Sequence, residues 1–230
     1  MRDISLPQNV RKLGVKERFR FACHCGVPCF TDCCRQLDLA LTPYDVLRLR
    51  QALGISCTEF LDRYTMVELT DDDIFPQVFL TMVDDGRASC PFVSEDGCSV
   101  YADRPGACRT YPVGRGAYMD DNDQPADFHV LLSEPHCRGL EDGPERSVAD
   151  WNTDQDIAVY NEYNDLVMAI IHHKRIKEGF RPNEEQQQRY LNVLYNPDGS
   201  VCLTKSRPVN SEELLKLAIR LLVDELPGWK

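Results

Sequence analysis

CHCGVPCFTDCC, running from Cys23 to Cys34, puts five cysteines into a dozen residues and ends on an adjacent pair, Cys33-Cys34. A segment so rich in thiols has little apolar surface of its own to bury, so disulfides or metal must hold it. The chain has 11 cysteines in 230 residues. Ten fall between Cys23 and Cys137, and Cys202 stands apart. An odd total cannot close into a complete set of intramolecular disulfides. The opening sequence, MRDISLPQNVRKLGVKERFRF, lacks the continuous apolar run of a secretory signal. No stretch approaches the roughly 18 apolar residues of a membrane span. A cytoplasmic location is therefore expected, where thiols stay reduced. These facts favour metal.

The spacing narrows the choice of metal. Structural zinc sites commonly use C-x2-C knuckles, whose turn aims two sulfurs at one ion. None occurs here, and the first block reads C-x-C-x3-C-x3-C-C. Adjacent side chains such as Cys33 and Cys34 are expected to diverge. They would reach one tetrahedral ion only with strain, and more easily serve two irons of one cluster or two separate sites. An iron–sulfur centre is accordingly favoured over zinc. Cys25, Cys29 and Cys33 approach the C-x3-C-x2-C pattern of radical S-adenosylmethionine enzymes but miss it by one residue. A Gly-rich phosphate loop, an HExxH helix and a GxSxG elbow are all absent from the sequence.

Outward from the cluster, residues 1 to 21 read as a polar, basic arm. Leu37, Leu39 and Leu41 alternate with polar residues as in a short strand. Thr42, Pro43 and Asp45 then make a helix start, with Gly54 as its stop. Ser56 and Glu59 open a second helix. TDDDIFP (residues 70 to 76) lacks the spacing of an EF-hand and reads as a solvated loop. PQVFLTM is a strand candidate. ASCPFVSEDGCSVYADRP reads as a hairpin turning at Glu95-Asp96-Gly97, with Cys90 and Cys98 flanking the turn so that both thiols can approach one point. Cys108 follows in a Pro-bounded loop. The stretch from Tyr118 to Gln124 reads as loop, and FHVLL as a strand that delivers His136 and Cys137. One long helix is expected from Ser147 to about Lys177, then a helix over 183 to 195, a turn at NPDG, and an amphipathic helix from Ser211.

Four segments taken together resemble the YkgJ-type cysteine-cluster family: CHCGVPCFTDCC, LTPYDVLRLRQALGIS, CPFVSEDGCSVYADRPGACRTYP and HCRGL. That family is described as carrying a zinc- or iron-chelating domain, and flagellin lysine methylases contain a related cysteine-rich domain. The resemblance spans about residues 20 to 160. It implies a ligand set of Cys23, Cys29, Cys33, Cys34, Cys90, Cys98, Cys108 and Cys137. It leaves Cys25 outside that set and places Cys57 where a serine is usual.

Around this set, His24 and His136 are expected to hydrogen-bond sulfur or solvent rather than ligate. His172 and His173 are expected to complement a helix C-terminus. Arg104, Arg109 and Arg115 are expected to offset thiolate charge. Tyr101 and Tyr111 read as packing aromatics, and Cys57 and Cys202 as small buried residues.

The composition, 43% hydrophobic and 27% charged, suits a chain that buries a real core. A net charge of -11 argues against nucleic acid or anionic membrane as partner. The expected fold is α+β and mainly helical. A metal-organised, cysteine-rich part with short strands (1–145) would carry a helical part (146–230) packed on it. The expected function is that of an iron–sulfur protein, with a 4Fe-4S or other polynuclear centre or two sites, serving redox or electron transfer with a redox or protein partner. The alternatives are a structural zinc protein acting as a partner-binding module, and a cluster-dependent enzyme of oxidative or methyl-transfer type.

Overall fold

The computed structural model describes residues 6–14, 16–120, 125–141, 143–200 and 210–230. Cys202 lies outside them. In chain order the elements are strands β1 (Val10–Leu13), β2 (Arg18–Arg20) and β3 (Ala40–Leu41), helices α1 (Pro43–Leu53) and α2 (Cys57–Tyr64), and strands β4 (Thr65–Glu68), β5 (Gln77–Leu80), β6 (Val93–Ser94) and β7 (Gly97–Cys98). There follow α3 (Gly106–Thr110), β8 (Val113–Met119), β9 (Pro125–Leu132), β10 (Glu145–Ser147), α4 (Val148–Asp154), α5 (Ala158–Ile171), α6 (Lys174–Lys177), α7 (Glu184–Tyr195), α8 (Pro197–Ser200) and α9 (Ser211–Glu225). The class is α+β. No helix among the described residues is long and apolar enough to cross a membrane.

The chain forms two compact units. The first comprises residues 1–37, 82–101 and 106–158, and the second 38–81, 102–105 and 159–230.

The first unit is built on an antiparallel sheet in the order β1-β9-β8, beside a two-stranded pair β10-β2. Its core gathers Leu13, Phe19, Phe21, Val113, Leu131 and Trp151, with Tyr111 and Cys137 packed against it. The Phe21 ring meets Trp151 edge-on at 5.5 Å and Tyr111 at 5.6 Å, the offset geometry that aromatic quadrupoles favour. β1 and β2 replace the expected arm. Only Leu13 of β1 and Phe19 of β2 are buried, and the exposed Arg11, Lys12, Arg18 and Arg20 hide the strand pattern. β8 likewise runs two residues, Tyr118 and Met119, into the expected loop.

The second unit packs α1, α7 and α9 with most of α5, and a small sheet ordered β3-β5-β4. Thr42 caps α1: its hydroxyl accepts from the Asp45 N–H, and the Asp45 carboxylate accepts from the Thr42 N–H at 2.8 Å. Gly54 closes the helix with φ 67°. Tyr44 stacks on Tyr163 at 4.3 Å, and Phe75 on Tyr190 at 4.3 Å.

Two helical expectations need correction. The long helix from Ser147 is three segments, because Asp156 turns left-handed (φ 49°) after α4 and His173 caps α6 by accepting the Arg175 N–H. Apolar spacing continues across both breaks, which is why periodicity alone runs them together. NPDG is not a bare turn, since Pro197 opens the short helix α8 at a position suited to proline.

Candidate metal centre

All eight cysteines implied as ligands lie in the first unit. The ten described cysteines carry no disulfide. Backbone geometry brings the thiols together in two groups.

The first group starts at the 3-10 turn Asp32–Cys34. Thr31, which opens it, is held at φ 67°, an unusual backbone conformation for a β-branched residue. Its carbonyl accepts from the Cys34 N–H at 3.0 Å and from the Arg35 guanidinium at 2.6 Å, which fixes the turn. Beyond it, the Cys34 carbonyl accepts from the Cys90 N–H at 2.8 Å, and Arg35 bridges to Ser89. Cys90 leads into the β6–β7 hairpin, whose register sets Cys98 opposite Val93. Gly97 at φ 113° makes this hairpin possible, and an added Cβ there would lie 3.1 Å from the Phe30 ring. The first cysteine block thus packs directly on the hairpin. Cys108 is carried by α3, which is tied to α4 by Arg109 donating to the Gln155 carbonyl (2.8 Å) and Trp151 donating to that of Thr110 (2.7 Å).

The thiols of this group also act on one another electrostatically. Cys33 is lowered to about 7, chiefly because the Cys34 thiol offers its proton toward it; burial and the Asp32 charge oppose this, and the Arg35 charge adds the smallest push. Cys34 is driven far above an ordinary thiol by that same interaction, then by burial, then by Cys33, Cys90 and Cys108 as neighbouring charges. Burial raises Cys90, with Cys98 adding to it. Cys33, Cys34, Cys90, Cys98 and Cys108 therefore form one electrostatically linked set. Within the tight turn the adjacent thiols act on each other.

The second group joins Cys29 to the segment around Cys137. The Arg138 N–H donates to the Cys29 sulfur at 3.1 Å. Gly139 makes this approach possible: a Cβ there would lie 2.6 Å from the Ala22 carbonyl, just before Cys23. Cys23 and Cys25 are both exposed at the start of the block.

Among the described residues, no three His, Cys, Asp or Glu side chains converge as ligands of one ion. The donors nevertheless suit a thiophilic metal in kind. Two orphaned donors border them. The Tyr111 hydroxyl and the Arg35 Nε are buried with no hydrogen-bond partner. Tyr111 lies near enough to the Cys137 thiol that burial first, and that neighbour next, hold its phenol well above the usual range. Metal-bound thiolates would give both donors an acceptor.

Some flanking residues differ from expectation. His24 accepts the Gly26 N–H through Nδ1 at 3.1 Å, shaping the loop. His173, just after α5 ends at Ile171, accepts the Arg175 N–H at the start of α6. Arg115 pairs with Asp127 across the β8–β9 hairpin at 2.9 Å, and Arg109 is spent on the Gln155 carbonyl. Arg104 belongs to the second unit. Arg35 also acts on Cys33, and its only sequence signal is that it follows Cys34. Tyr101, 61% exposed, is no packing residue, whereas Tyr111 is one. Cys57 is buried in the second unit, as a small apolar residue would be.

No curated protein and no solved structure matches the chain. Residues 23–137 match a family described as "CxxCxxCC: Putative zinc- or iron-chelating domain". The matched segment begins at Cys23 and ends at Cys137, although the spacing in that label is absent from this chain. Since the match spans half of the chain, the protein belongs to the CxxCxxCC family of zinc- or iron-chelating cysteine domains.

Proposed function

We propose that this domain holds an iron–sulfur centre and serves redox or electron-transfer chemistry. The observation that carries this reading is the linked set of five thiols, Cys33, Cys34, Cys90, Cys98 and Cys108. Four thiolates complete one tetrahedral zinc site, so five linked thiols exceed what a single zinc ion takes. A polynuclear centre, or two centres close together, uses them all. Cys29 and Cys137 would then complete the set from the other side of the block, with Cys23 joining them.

Such a cluster supplies one-electron transfer at a potential set by charge, hydrogen bonds to sulfur and exposure. The chain's own residues act on each of these. Arg35 offsets negative charge at the adjacent pair, the Arg138 N–H donates to the Cys29 sulfur, and the Tyr111 hydroxyl is available to Cys137. Exposed thiols at Cys33 and Cys108 leave the centre within reach of a redox partner.

Anaerobic purification tests the proposal. Brown protein with iron and acid-labile sulfide, and broad absorbance around 400 nm, is the expected result. Colourless protein with stoichiometric zinc would overturn it, in favour of a structural zinc module.

A further inference from the structure

Strand β4 is an edge of the sheet β3-β5-β4 in the second unit, and it is exposed on both faces. Met66 is 47% exposed, Val67 51% and Leu69 47%. Three of the six large exposed hydrophobic residues of the described chain thus fall within four positions. Along β5, the Thr81 N–H bonds to the Tyr64 carbonyl and the Leu80 N–H to that of Leu39. Residues therefore alternate between the two neighbouring strands. With Met66 opposite Phe79 and Val67 opposite Val78, this alternation turns the Val67 N–H and C=O away from β5. Edge strands are commonly blunted by lysine, proline or a bulge. Residues 65 to 72, TMVELTDD, contain neither lysine nor proline.

Charge selects the occupant. Residues 59 to 73 hold six carboxylates (Glu59, Asp62, Glu68, Asp71, Asp72 and Asp73) against one cation, Arg63. That cation is already paired with Glu59 at 2.7 Å. Asp73 is fixed by Thr70 and Gln77, which holds the acidic turn in place beside the strand. A second copy pairing its own β4 here would set two such acidic strips against each other. An extended segment rich in lysine or arginine meets the opposite charge.

We propose that β4 is a docking edge that takes an extended, basic segment of a partner protein as an added strand. The outward main-chain groups of Val67 supply register, Met66, Val67 and Leu69 supply apolar contact, and the acidic strip supplies selectivity. The proposal does not depend on which metal the cysteines hold, since all eight belong to the other unit.

The test uses the full chain and a capped nine-residue peptide alternating lysine with valine, beside the same peptide with glutamate for lysine. The lysine peptide should bind at least about tenfold more tightly, weaken as salt rises, and slow amide exchange at residues 65 to 70. Val67→Pro should reduce its binding by about tenfold or more, since proline removes the outward N–H that an edge strand does not need for its own fold. The triple variant Glu68→Lys, Asp71→Lys, Asp72→Lys should reverse the preference between the peptides with its melting curve unchanged. Equal binding of both peptides, protection elsewhere on the chain, or binding indifferent to Val67→Pro would overturn the proposal. So would a dimer of the wild-type chain that Val67→Pro dissociates, because the occupant would then be a second copy.

Discussion

Cys33 and Cys34 occupy one turn yet differ in proton affinity, and the difference is measurable. In the metal-free, reduced protein the Cys34 thiol offers its proton toward Cys33, which lowers Cys33 to about 7. Thiolate is the nucleophile, so alkylation at Cys33 should rise through neutral pH with an inflection near that value. Replacing Cys34 by alanine removes the main cause of the lowering. The inflection should move upward by at least about one unit toward the ordinary thiol range, since loss of a donor to the charged form raises its pKa. Site-resolved mass spectrometry of alkylated peptides reads it, and an unmoved or lowered inflection would refute the pairing. The candidate cysteines could be named from the sequence because donor atoms are side-chain identities. Arg35, the Arg138 N–H and the Tyr111 hydroxyl were not, because their parts depend on where the backbone places them.

Two glycines with positive φ separate metal-site effects from general destabilisation. Gly97 opens β7 at φ 113°, with the Phe30 ring where a Cβ would go. Gly54 ends α1 at φ 67° in open space. Gly97→Ala should strain the hairpin by about 1–3 kcal/mol. It should also displace Cys98, so the protein should purify with less metal per chain. Gly54→Ala should lower the melting temperature by a few degrees, from a penalty of about 1–2 kcal/mol, with metal content unchanged. Metal analysis beside thermal melts distinguishes them, and an equal loss of metal in both variants would detach the hairpin from the site. Elements with strong local signals were readable in the sequence. Thr42 with Asp45, Ser147 with Asp150 and Asn183 with Gln186 all make capping boxes, and the first marks its helix start in the sequence. The breaks at Asp156 and His173 were hidden, because one left-handed residue and one side-chain cap leave no mark on apolar periodicity. β1 and β2 were hidden too, because on a sheet margin burial constrains only one residue in three or four.

The two units are of similar length but differ in how they are held. Of the buried hydrophobic residues, 11 belong to the first unit and 26 to the second, among the described residues. The second has stacked tyrosines and leucine-lined helices to hold it. The first has a small aromatic core and all eight of the expected thiol ligands. A small apolar core leaves conformational entropy unopposed, and structural metal commonly supplies the missing free energy, because ligands gathered only in the folded state couple binding to folding. Metal removal should therefore act unevenly. Chelation under reducing conditions should collapse amide-exchange protection in β1, β8 and β9 by about a hundredfold or more, corresponding to a loss of roughly 3 kcal/mol or more. Protection in α1, α7 and α9 should change by less than about threefold, under 1 kcal/mol. Mass spectrometry of exchange on the loaded and stripped full chain gives both values at once. Uniform loss across both units would mean that metal stabilises the chain as a single cooperative body. Retained protection in β8 and β9 would mean that the aromatic core alone holds the first unit, and that the cysteines are kept for chemistry rather than for folding.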